Sequence, residues 1–212
     1  MPRGHEGTPV ELPVRSVDIL ERNGRTVRAL RVFCPPRYRS VDSSTCAACT
    51  FVHTFSDVAV TCAPPGESAE ADPAPDKPLF LGPEALALRT PVGSVCSLRS
   101  IAVREDVSPA QARGALDRYP FAVVLAPNDH VCGVLSAAEP PDLHAALSEA
   151  DGRTPTLPEF APLIEAIELM LHAHVRLVPV VDENRRFLGV VADLDVLRWA
   201  ARYQSAPHFR LR

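Results

Sequence analysis

The chain has 212 residues, 46% of them hydrophobic and 23% charged, with a formal net charge of −4. That balance supports a buried core and excludes a wholly disordered chain; the acidic sign argues against a general binder of nucleic acid or anionic membrane. No run approaches the roughly 18 to 20 apolar residues of a membrane span, and the start has no apolar signal core, so a soluble, cytoplasmic protein is expected.

The first elements in chain order form a hairpin. Pro13–Arg22 and Arg25–Phe33 alternate apolar with polar residues around the turn Arg22-Asn-Gly-Arg25, and Asn-Gly is a strong short hairpin signal. The second strand leads into Cys34, the first of six cysteines. Cys34, Cys46, Cys49 and Cys62 are clustered, whereas Cys96 and Cys132 stand far downstream among apolar neighbours and read as core. A reducing compartment disfavours a disulfide framework. A pair two residues apart can chelate one ion from a tight turn, and two single cysteines at strand ends can complete a tetrahedron. Residues 13–62 are therefore expected to form a small β-rich, zinc-ribbon-like segment holding structural Zn2+. Three alternatives stand beside zinc: a Cys46/Cys49 redox pair, unmetallated thiols, and His53 replacing one ligand. Seven arginines against two acids from Arg15 to Arg39 read as a solvated hairpin face, with a nucleic-acid contact as the alternative.

Composition then shifts. Residues 63–78 hold five prolines, four acids and no large apolar side chain, the mark of a semi-extended linker, taken as 63–80. Beyond it lies an internal repeat. Phe121–Leu135 matches Leu177–Val191 at a constant offset of 56, each copy being an apolar strand, a polar turn and a second strand with a glycine. Ahead of each runs a helical pattern: Ala112, Ala115, Leu116 and Tyr119 in the first copy, Leu163, Ile167, Met170, Leu171 and His174 in the second. Spacings of three and four mark one buried helix face. The second copy ends in an amphipathic helix from Asp193. Each unit reads strand, helix, strand, strand, helix. A lone unit this small cannot cover its sheet, so the two should pack together as an α/β (α+β) module.

Pro91–Cys96 with Ser100–Val103, Leu177–Asn184 and Gly189–Leu197 resemble the CBS domain, the cystathionine β-synthase type regulatory repeat. The resemblance covers about residues 90–203, as a degenerate first repeat (90–140) and a better-matched second repeat (141–203). It implies a Bateman module that forms a homodimer and binds an adenosine nucleotide, AMP or ATP, between repeats. The family's ligand motif is a Ser or Thr followed by an Asp at the last strand-to-helix junction. A carboxylate there can take two hydrogen bonds from ribose hydroxyls, and helix N-terminal amides favour phosphate. The matching positions are Ala192 and Asp195 in the second copy, and Ser136 and Glu139 in the first, where Pro140 follows directly. The second copy has lost the hydroxyl and kept the carboxylate; the first has kept the hydroxyl and lengthened the acid. Thr156 matches an edge-strand threonine of the family's pocket.

No phosphate-binding glycine loop, nucleophile elbow or paired carboxylates with a nearby base are present. The expected function is a non-enzymatic regulatory or sensor protein with a protein partner. The alternatives are a nucleic-acid-associated regulator or a thiol-redox protein. A single lysine, Lys77, among 22 basic residues suggests a GC-rich bacterial source.

Overall fold

The computed structural model describes residues 9–63, 83–137 and 154–204. In chain order the strands are β1 (Val10–Leu20), β2 (Thr26–Cys34), β3 (Arg39–Asp42), β4 (Val52–Phe55), β5 (Ala59–Cys62), β6 (Arg99–Arg104), β7 (Phe121–Leu125), β8 (Val131–Ser136), β9 (Leu157–Pro158), β10 (Leu177–Val181) and β11 (Phe187–Ala192). The helices are α1 (Ser43–Ala47), α2 (Pro83–Ala87), α3 (Val92–Val95), α4 (Pro109–Leu116), α5 (Leu163–Ala173) and α6 (Asp193–Gln204). The fold is mixed α+β. Among the described residues no helix is long and apolar enough to cross a membrane.

The hairpin forms as the Asn-Gly signal predicts. Strands β1 and β2 pair antiparallel from Val14↔Val32 to Leu20↔Thr26, and Gly24 takes a φ of 78° in the turn, a conformation open to glycine at little cost. The hairpin does not stand apart from the first repeat. From Ser16 to Leu20, β1 pairs in parallel with β6, so one sheet runs in the order β3-β2-β1-β6-β7-β8. Over Val10–Pro13 the same strand pairs instead with β5. The switch falls next to Pro13, which has no N–H to give a ladder. The expected linker lies outside the described residues apart from Ala63, and the two segments it was expected to separate share a continuous sheet.

Repeat topology matches the expected order. The second unit is β9, α5, β10, β11, α6, its strands forming a three-stranded sheet in the order β11-β10-β9. The first supplies β6, α4, β7 and β8; its closing segment, including Glu139, lies outside the described residues. Ala112, Ala115, Leu116 and Tyr119 pack with Ile101, Val103 and Val124 as their spacing predicts. In α5, Leu163, Ile167 and Met170 pack inward with Ala166, but Leu171 is 68% exposed. His174 is an exposed left-handed cap, φ 53°, rather than a member of the buried face. A helix stripe set by 163, 166, 167 and 170 rotates 171 outward. Between the two sheets, Val17, Ala102, Val123 and Leu125 pack against Phe187, with Val134 and Val190 beside them.

Candidate functional site

A cleft of about 360 Å3 lies between the two repeats, inside the range of roughly 300–1,000 Å3 typical of small-molecule sites. Its first-repeat wall is the start of β6, with Tyr119 and Phe121; its second-repeat wall is Leu177, Val190, Ala192 and the first turns of α6. Apolar side chains line the middle and three arginines, Arg99, Arg176 and Arg198, stand around it.

Asp195 is the buried acid of this cleft, 8% exposed. Its Oδ2 accepts a hydrogen bond from the Ala192 N–H at 3.0 Å and another, short, from the Ser97 hydroxyl. Its Oδ1 faces Arg198 at 3.7 Å. One oxygen is therefore committed to holding the strand-helix junction against the first repeat. The other faces a mostly exposed cation and keeps room to accept further bonds. Asp193, also in the first turn, pairs with Arg176 at 2.9 Å. Two carboxylates in the first turn complement the helix dipole.

The wall facing Asp195 is braced from the N-terminal hairpin. Arg15 on β1 is 6% exposed. Its guanidinium donates to the carbonyls of Cys96 at 3.1 Å and Ser94 at 2.7 Å, and by a short bond to that of Gly93. Burial pushes the Arg15 pKa down, while Cys96, Asp195 and Glu159 oppose that shift. Burial likewise pushes the Cys96 thiol up to about 11, so this cysteine is an inert core group, as its apolar neighbours predict. Gly93 is fixed by close approach: a Cβ there would meet the Glu159 carbonyl oxygen and the Phe33 ring at 2.9 Å. A second brace is Asp18, which accepts bonds from Arg28 at 2.6 and 3.1 Å and from the Tyr119 hydroxyl at 3.1 Å. The Arg28 bond holds the Asp18 carboxyl below its ordinary pKa. On the second repeat, Glu159 is buried and accepts from the Ser40 N–H of β3 at 2.5 Å.

The sequence-derived nucleotide residues do not all converge. Ala192 and Asp195 line the cleft. Thr156 sits half-buried just before β9 and Ser136 half-buried at the end of β8, and neither lines it. Thr154 donates to the Cys132 carbonyl at 3.3 Å, which sets the β9 approach beside the first repeat. Ser97, Ser100, Tyr119, Arg99, Arg176 and Arg198 contribute to the cleft and were not picked out from the sequence. Ser97 lies before β6 and Ser100 beside Arg99 at its start, so neither stood out in the sequence as a cleft residue.

Two of the four clustered cysteines end strands as expected, whereas the pair expected in a tight turn begins inside a short helix. Cys34 ends β2, Cys46 lies in α1, Cys49 follows it and Cys62 ends β5. Cys46 is buried with Val14, Val32, Val41 and Val60. Burial raises the Cys46 thiol, and the nearness of Cys34, Cys62 and Cys49 raises it further. Cys62 responds in the same way to burial, Cys49 and Cys34. The four share a neighbourhood. Even so, among the described residues no three His, Cys, Asp or Glu side chains form a group arranged to hold a metal ion. The expected tetrahedral thiolate site is thus not displayed, and all four are free thiols. His53, the alternative ligand, is exposed on β4.

Comparisons with known proteins bear on the same region. A family model described as the CBS domain matches residues 152–202. No curated protein matches the chain. Similar solved structures include a CBS domain pair in complex with 5-methylthioadenosine and S-adenosyl-L-methionine. It is 21% identical, with 54% of this chain and 98% of that one covered and a TM-score of 0.48. A CBS domain pair/ACT domain protein from Thermotoga maritima is 20% identical over 55% of this chain and 100% of that one, with a TM-score of 0.47. CBSX2 in complex with AMP is 20% identical over 54% and 98%, with a TM-score of 0.45. The CBS-domain match falls on the second repeat, from the approach to β9 through most of α6.

Proposed function

We propose that the chain is a non-enzymatic regulatory protein whose paired repeats hold an adenosine nucleotide in the cleft at Asp195. The observation that carries this reading is the position of that carboxylate. It is buried at a strand-helix junction, with one oxygen anchored and the other open to a ribose diol, in a cleft with apolar walls and arginines around it. The apolar walls suit a purine face, and the arginines suit phosphate. Among the described residues that line the cleft there is no histidine, cysteine or lysine. The one hydroxyl–carboxylate bond, Ser97 to Asp195, holds the strand-helix junction, an arrangement that suits binding rather than turnover.

Calorimetric titration with AMP and ATP tests the reading. Ala192 lacks the hydroxyl of the family motif, and a charge-assisted hydrogen bond contributes roughly 1.5–3 kcal/mol, so weak binding is expected. Ala192→Thr should tighten binding by about tenfold to a hundredfold. Asp195→Asn should abolish it, and the asparagine oxygen can still accept from Ala192 and Ser97. Absent heats in all three proteins would sink the nucleotide reading.

The same reading gives the homodimer and the zinc. Leu171, Leu194 and Leu197 on α5 and α6 are exposed by 68, 50 and 64%, which supports a second copy covering these helices. Light scattering at micromolar concentration should then give about twice the chain mass. For zinc, the support is the cysteine spacing and the mutual influence of the four thiols. Elemental analysis after metal-replete expression should give one zinc per chain, and a ratio near zero would reject it.

A further inference from the structure

A second cavity, of about 260 Å3, lies where the N-terminal hairpin meets α3. It shares no lining residue with the cleft between the repeats. Leu12 and Pro13 of β1 and Pro91 ahead of α3 form apolar walls, and Phe33 and Tyr38 supply two rings. Arg15 is the one charged side chain among the described residues that line it. A cavity of roughly 150 Å3 holds benzene, so this one has room for a single ring with a short arm.

Two features here go beyond packing. The first is the charge. Arg15 is 6% exposed, and its guanidinium meets three backbone carbonyls but, among the described residues, no carboxylate at ion-pair distance. A buried cation without a counter-charge is costly. Of the five N–H groups on a guanidinium, those three bonds leave one on each terminal nitrogen, enough to hold a carboxylate. The second feature is Tyr38. Its φ is 53°, in the left-handed region that a bulky side chain rarely enters, and a glycine would hold the same turn at less cost. The ring itself therefore calls for a role. It stands edge-on to Phe33, centroids 6.0 Å apart at 68°, an arrangement that a third ring can extend. Phe33 is 7% exposed and lies deep, whereas Tyr38 is 51% exposed and stands at the rim.

An aromatic wall and a buried cation with no acid beside it match the two halves of one ligand. We infer that this cavity takes a small aromatic monocarboxylic acid, its ring against Phe33 and Tyr38 and its carboxylate on the Arg15 guanidinium. An inorganic anion has the charge but nothing for the apolar walls. A neutral aromatic fills the walls and leaves the guanidinium without a counter-charge.

The test is an NMR titration of the full chain, following backbone amides, with phenylacetate, phenylacetamide and acetate. Phenylacetamide keeps the ring and loses the charge; acetate keeps the charge and loses the ring. Phenylacetate should bind about tenfold more tightly than either, because the amide loses a charge-assisted bond and acetate loses the buried ring. The amides that shift should include those of Phe33, Tyr38 and Ser94, which line this cavity, rather than Leu177 and Val190 in the cleft. Tyr38→Gly removes the ring and relieves the left-handed backbone. It should weaken phenylacetate by about fivefold while keeping the preference over phenylacetamide, since Arg15 is untouched. Equal affinities for phenylacetate and phenylacetamide would overturn the inference, as would shifts confined to the cleft, unchanged affinity in Tyr38→Gly, or no binding of phenylacetate at all. If Tyr38→Gly fails to fold, the three-ligand comparison on the wild type decides alone. None of these outcomes depends on whether AMP or ATP binds in the cleft.

Discussion

The two repeats are nearly the same object in their strand hairpins and different objects at their first strands. Phe121 faces Ser136 as Leu177 faces Ala192, and the bulges fall at Val124/Leu125 and Val180/Val181. Both turns carry a left-handed residue 56 positions apart, Asp129 and Arg185, and His130 bridges to Arg186 between them. The first strands diverge. β6 has six residues and is flanked by β1 and β7, whereas β9 has two and pairs only with β10 among the described residues. The hairpin has thus been recruited into the first repeat, giving that repeat a covered edge and a braced cleft wall. An exposed strand edge is a liability, and covering it is a common remedy.

The sharpest way to break this asymmetry is Arg15→Met. The side chain is long enough to fill much of the space, but the carbonyls of Gly93, Ser94 and Cys96 lose their donor. A buried carbonyl left without its donor costs about 1–3 kcal/mol, so the three together should cost about 3–5 kcal/mol once relaxation and water offset part of it. Urea denaturation should show a loss of that size. A loss under about 1 kcal/mol would mean that the guanidinium is not what fastens the hairpin to the first repeat. Nucleotide binding should weaken in the same variant, because Ser97 follows directly on Cys96 and holds Asp195.

Arg15 also shows why the sequence could be read only so far. Alternation placed the hairpin strands and the Asn-Gly turn correctly, and the 56-residue offset placed β7, β8, β10 and β11, because those patterns are local. Alternation read alone sends Arg15 to solvent, as part of a solvated face of seven arginines. In the folded chain β1 is internal, paired with β2 on one side and with β5 and then β6 on the other, so Arg15 and Asp18 are both buried. Parallel pairing across some 80 residues leaves no local trace in composition, and a proline-rich stretch between two segments reads as separation. The candidate site shows the same division. Asp195 and Ala192 were legible from a short motif. Thr156, taken from the family resemblance, is not among the residues that line this cleft. Ser97, Ser100 and Tyr119 depend on strands brought together from distant parts of the chain.

The smallest expected effect sharpens the comparison through the other brace, Asp18. Arg28 and the Tyr119 hydroxyl both bond this carboxylate, tying β1 to a residue that lines the cleft. The Arg28 bond is the largest cause of a folded-state pKa below the ordinary 3.8. A group whose pKa is lower when folded adds stability that is fully present above its unfolded value and is lost as pH falls through the folded value. The Arg28 side chain is 64% exposed, so solvent screens the pair and the contribution should be about 1 kcal/mol rather than that of a buried bridge. Asp18→Asn keeps an acceptor for Tyr119 and removes the charge. Wild type should therefore exceed the variant in urea stability by about 1 kcal/mol at pH 7. The gap should close as pH drops below the ordinary aspartate value, and 0.5 M salt should narrow it at pH 7. A gap that persists unchanged at pH 2 would assign the effect to packing around Tyr119, leaving Arg15 as the only charged brace between the hairpin and the cleft wall.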